Sequence, residues 1–80
     1  MNIDLARHVV RAAFRSSREL SSLLPLLKEH LDANEYQRYA RAIASAIAAT
    51  QLEVVNAVTA DHPALEAEIE AQMSKYDRYL

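Results

Sequence analysis

The chain has 80 residues, nine basic and eleven acidic, for a net charge of −2. That balance gives no overall attraction to nucleic acid or to an anionic membrane, so either partner would need a local patch. The absence of cysteine excludes disulfides and thiolate metal sites and suits a reducing compartment, the cytoplasm by default.

Eighty residues make one domain, and a monomer of that size buries only about 60 to 65% of the surface its unfolded chain exposes. Such a domain needs well-fitted packing or a partner. Glycine is also absent, while there are 15 alanines and 10 leucines. Tight hairpins use glycine for positive φ, so this composition predicts an all-α fold with short polar links. The opening "MNIDLARHVVRAAFR" places an acid before any base, and Arg7, Arg11 and Arg15 interrupt its apolar residues. It lacks the apolar core of a secretory signal.

The first helix is expected over about residues 4–31, capped by Asp4. Leu5, Val9, Ala13, Ser16, Leu20, Leu23 or Leu24, Leu27 and Leu31 recur at helical spacing and form one stripe. Pro25 lies inside it, so a kink or a break is expected there, with Ser21 and Ser22 able to cap a new start. "DANE" then marks the next helix: Asp32 and Glu35 have the spacing of a capping box. This second helix should run over about 33–60. Pro63, tolerated at a first helical position and preceded by Asp61 and His62, opens a third helix over about 63–78. Leu65, Ile69, Met73 and Tyr76 share its apolar face.

The second helix raises the main question, because Glu53 is its only charge between Arg41 and Asp61. Tyr36, Ala40, Ile43, Ile47, Thr50, Val54 and Ala57 form one apolar seam; Ala44, Ala48, Leu52, Val55 and Thr59 form a second beside it. A helix apolar on most of its circumference must be covered on most of it. The uncharged stretch is about 28 Å long, enough to cross a bilayer. Glu53, Gln51, Asn56 and three hydroxyls within an alanine-dominated run argue against a membrane role.

Cover must therefore come from helices. The first is long enough to pair with the whole second helix in an antiparallel hairpin. The third, about 24 Å long, reaches back only to about Ser45. The remaining flank predicts a homodimer through Ala40, Ala44, Ile47, Ala48, Leu52 and Val55, whose small side chains allow close approach.

On the first helix, Ile3, Val10 and Phe14 widen the apolar stripe into a free edge, and Arg7, Arg11, Arg15 and Arg18 form a basic ridge. This surface is the candidate site for a protein partner. The same ridge could track phosphates, but the acidic net charge and the lack of a helix-turn-helix pattern make nucleic acid the weaker expectation. A ridge merely solvated, and partly neutralised by Glu66, Glu68 and Glu70, is the simplest expectation. The repeated Tyr36-Gln-Arg-Tyr39 and Tyr76-Asp-Arg-Tyr79 predict amphipathic tyrosines sealing the bundle ends.

No chemistry is encoded. His8, His30 and His62 fall on separate segments, and no zinc-binding, phosphate-loop or nucleophile motif is present. No catalytic residue, metal or cofactor is expected. The sequence therefore predicts a small bundle of about three helices, dimeric and non-enzymatic, acting as an adaptor or regulatory subunit. The alternative is a nucleic-acid-associated dimer.

Overall fold

The structure, a computed structural model, describes all 80 residues. It is 89% helical, with three helices and no strand. Helix α1 spans Ile3–His30, α2 spans Ala33–Asp61 and α3 spans Pro63–Tyr76.

The first cap lies two residues before the expected one. Asn2, in an extended conformation, accepts a hydrogen bond from the Leu5 amide at 2.8 Å. Asp4 instead sits in the first turn, where its charge suits the helix dipole and pairs with Arg7 at 3.0 Å. Helix α1 runs unbroken through Pro25. Proline frees the carbonyl one turn back, that of Ser21, and both residues are exposed, so water can satisfy it. Ser22 caps no new helix; its hydroxyl donates to the Glu19 carbonyl at 2.6 Å. Asp32 accepts from the Glu35 amide at 2.8 Å, which is one half of the expected capping box.

Helix α2 is not uniform. It is α-helical over Ala33–Ala49, π-helical over Thr50–Val55 and α-helical again over Asn56–Asp61. The Asn56 amide donates five residues back, to the Gln51 carbonyl. At the start of this segment the Thr50 hydroxyl donates to the Ala46 carbonyl at 2.9 Å, a back-bond that bends helices.

A π segment adds about one residue per turn and so shifts the buried face by one position. The consequence is visible in burial. The seam through Ile43, Ile47 and Thr50 would continue to Val54 and Ala57 in a regular helix. In the structure Val54 is 40% exposed and Ala57 is exposed, while Val55 and Val58 are buried. The chain uses the first apolar seam up to Thr50 and then switches to Val55 and Val58.

This register predicts unequal costs. Val55→Ala should destabilise by about 1.5–3 kcal/mol, because two buried methyl groups and their packing are lost. Val54→Ala should stay within about 0.5 kcal/mol. Chemical denaturation of both variants checks this, and a regular helix would reverse the order.

Only eight residues are buried. Ala6, Val10, Val58, Leu65 and Tyr79 form the core cluster, with Val9, Phe14 and Ile69 packed on it. All the cluster's members come from the start of α1, the end of α2, α3 and the tail. Helix α1 also packs along the rest of α2, whereas α3 packs mainly on α2's last turns.

Helix α3 stops two residues earlier than the expected 78. Asp77 adopts a left-handed conformation at φ 58°, and its amide donates to the Met73 carbonyl at 3.0 Å. Aspartate is among the few non-glycine residues that tolerate this turn. It redirects the chain so that Tyr79 enters the core instead of prolonging α3.

The molecule measures 45 × 24 × 16 Å and exposes 5736 Å². A compact monomer of 9.0 kDa exposes roughly 4,900 Å². The excess arises because the core sits at one end.

Candidate interaction surfaces

The two-helix end carries most of the uncovered apolar surface. A groove lined by Phe14, Ile47, Met73 and Asp77 marks where α3 stops along the α1 and α2 pair. Between that groove and the α1–α2 link, Ile43 is the only buried residue. Leu20, Leu24, Leu27 and Leu31 on α1, with Tyr36 and Ala40 on α2, are half-buried, and Leu23 and Leu26 are exposed. These leucines occupy helical core positions with only one neighbouring helix.

Of the residues expected at an interface between copies, Ala40 and Ile47 are half-buried and Ala44, Ala48 and Leu52 are exposed, Leu52 by 66%. Val55 is different. The π segment turns it into the chain's own core at 3% exposure, so it is not available to a second chain. Only 17% of the most apolar stretch of α2 is buried. By length and composition alone, α2 is also the one helix able to cross a membrane.

The apolar edge expected on α1 is largely covered. Val10 is fully buried in the core, and the Phe14 ring lies 6.0 Å from that of Tyr79 at a 46° tilt. Ile3 remains 37% exposed. α3 and the tail fill the place reserved for a partner: Leu65 packs in the core with Val10, and the turn at Asp77 folds Tyr79 back beside them.

The basic ridge divides in two. Arg7 is engaged by Glu68 through Nε at 3.1 and 3.3 Å and by Asp4 at 3.0 Å. The bond to Glu68, then its charge, raises the guanidinium pKa further above its ordinary value. Arg11 donates through Nε to the Leu80 carbonyl at 2.9 Å and stacks 5.7 Å from the Tyr79 ring centre. Arg15 and Arg18 are exposed and form no ion pair. Of the three α3 carboxylates expected to neutralise the ridge, only Glu68 does so. Glu66 and Glu70 line a depression with Gln51, Asn56 and Thr59 on the α2 side of α3.

The tyrosines also part company. Tyr39 and Tyr76 are each 48% exposed, while Tyr79 is buried and its hydroxyl has no hydrogen-bond partner. The sequence predicts buried rings with wet hydroxyls for these tyrosines; Tyr79 buries its hydroxyl as well as its ring, by a turn after the third helix that the periodicity does not show. The signal was an aspartate inside Tyr76-Asp-Arg-Tyr79, a residue able to take the left-handed turn where no glycine exists.

Burial raises the Tyr79 phenol above its ordinary value of 10.0, with Glu68 adding to the effect and Arg11 and Arg7 opposing it. The folded state thus favours the neutral phenol. Its contribution is complete below the unfolded value near 10 and is lost as pH rises through the higher folded value. Tyr79→Phe is expected to match or exceed wild-type stability by up to about 1 kcal/mol at neutral pH, since it removes an unsatisfied hydroxyl. It should also flatten the loss of stability above about pH 10. Urea midpoints for both proteins across that range test the sign.

No group of three or more His, Asp or Glu side chains is placed to hold a metal ion. No family model matches the chain, and no similar curated protein or solved structure was found. Function must therefore be argued from the two uncovered surfaces.

Proposed function

We propose that this chain is a non-enzymatic interaction module that works as a homodimer in a reducing compartment. In this reading α1 and α2 form an antiparallel hairpin, and the open end of each hairpin covers that of its copy. Ala40, Ala44, Ile47, Ala48 and Leu52 of α2 meet across the interface, continued by the half-buried leucines of α1.

One observation carries the reading: the chain exposes about 850 Å² more than a compact monomer of its mass. A stable interface removes about 800 Å² from each partner, so a single self-contact of ordinary size absorbs the excess. Alanine at 44 and 48 suits close helix approach, and a two-fold axis brings the same patch from both copies together.

A bilayer is the competing cover for α2. Against it, Glu35, Arg38 and Arg41 occupy the helix's first turns and Glu53 its middle, while α1 packs along it bearing charged residues of its own. Sedimentation equilibrium in detergent-free buffer should return twice the 9.0 kDa chain mass. A mass of one chain, or flotation with lipid vesicles, would overturn the proposal.

A further inference from the structure

We propose that Arg11, Arg15, Arg18 and Arg78 form a binding site for one phosphate or pyrophosphate group. The four arginines line one concavity of about 190 Å³ together with Tyr79 and Leu80. No carboxylate side chain lines it. Four of the chain's nine basic residues are thus gathered in one depression of a protein whose net charge is −2. Guanidinium groups gathered in one depression repel one another, and a bound anion offsets that cost.

One donor is already positioned. Arg11 is held by its Nε bond to the Leu80 carbonyl and by the Tyr79 ring. Leu80 is itself fixed, its amide donating to Gln72 Oε1 at 2.7 Å. A fork oriented before the ligand arrives loses less freedom on binding. Arg15, Arg18 and Arg78 form no ion pair in the chain and keep their donors free.

The number of donors selects the ligand. A carboxylate brings one charge and two oxygens, which a pair of guanidinium forks saturates. A phosphate monoester brings about −1.5 to −2 charges and three strong acceptor oxygens, matching three free arginines and one fixed one. The volume admits a phosphate or pyrophosphate but falls below the roughly 300–1,000 Å³ of sites that enclose whole drug-sized ligands. The basic track is also short. Arg7, at the other end of the ridge, is taken by Glu68 and Asp4, which favours one phosphate group over an extended nucleic acid backbone.

Arg78, Tyr79 and Leu80 all follow the left-handed turn at Asp77, so the pocket exists only while the tail is docked. Phosphate binding therefore stabilises the docked tail. The site uses no residue of α2 and stands whether the chain is one copy or two.

The test is an NMR titration of the full chain with pyrophosphate at constant ionic strength, following arginine Nε–H signals and the amides of residues 77–80. Saturable shifts are expected at Arg15, Arg18, Arg78 and the tail. The pair Arg15→Gln and Arg78→Gln should weaken binding about tenfold or more. Arg38→Gln with Arg41→Gln, an equal charge loss on another surface, should change it less than about twofold. Circular dichroism verifies that both variants are folded. A phosphoserine peptide binding more tightly than pyrophosphate assigns the group to a protein ligand, the reverse to a small molecule, and either supports the site. Non-saturating shifts, equal losses in both variant pairs, or a short oligonucleotide binding far more tightly with a salt slope of several phosphates would overturn it.

Discussion

Leu65→Ala is expected to remove most of the protein's stability. Leu65 has no exposed surface and belongs to the cluster that joins α1, the end of α2, α3 and the tail. Truncating a buried leucine costs about 2–5 kcal/mol, the larger values applying where the surroundings cannot collapse into the gap. An 80-residue domain holds only about 4–12 kcal/mol in total. With eight buried residues in the whole chain, this one is expected to sit toward the lower end of that range. Far-ultraviolet circular dichroism during urea denaturation measures the effect, with Glu66→Ala, on the exposed side of the same turn, as a control expected within about 0.5 kcal/mol. A Leu65→Ala midpoint close to that of the control would mean that the cluster is not what holds the fold.

The second large effect falls on assembly. Ala48→Arg with Leu52→Arg is expected to convert the dimer into a single chain without disturbing the core, because both residues are exposed within one copy. The two-fold axis doubles each substitution, placing four new like charges in one contact and costing several kcal/mol. Association should weaken by about 100-fold or more. The melting temperature should also lose its dependence on protein concentration, since the wild type gains stability from its partner by mass action. Light scattering and melting curves at two concentrations read both effects. A variant that keeps the wild-type mass would move the interface away from α2.

The helices and their ends were largely legible in the sequence because they depend on local chemistry. Apolar residues at steps of three and four, Asp32 before Glu35 and Pro63 at a helix start each act within a turn or two, and the absence of glycine disfavours tight hairpins. The uncovered flank of α2 was legible too, since lengths alone stop α3 at about Ser45, close to the groove at Ile47. The register of α2 was not legible. Two apolar seams lay side by side, and nothing local announces that Thr50–Val55 adds a residue to its turn and moves burial one position on, to Val55 of the second seam and Val58 of neither. That choice is made by packing against α1 and α3, which rewards Val55 and Val58 over Val54 and Ala57. The candidate edge at Val10 and Phe14 failed to stay free for a similar reason. A single aspartate turn at residue 77 decides where the last residues go, and the periodicity of α3 carries no information about it. The pocket arginines inherit this: Arg11, Arg15 and Arg18 share a helical face by spacing, but Arg78 joins them only through the turn.

The central claim is that the open end of the helical pair is covered by the same surface of another copy. The chain has no cysteine, so a single nitroxide label can be placed by Ala48→Cys, with Ala71→Cys on the exposed side of α3 as reference. Dipolar spectroscopy should show strong coupling between copies for the label at 48 and much weaker coupling for the label at 71. Equal, negligible coupling at both positions in concentrated protein would contradict the account.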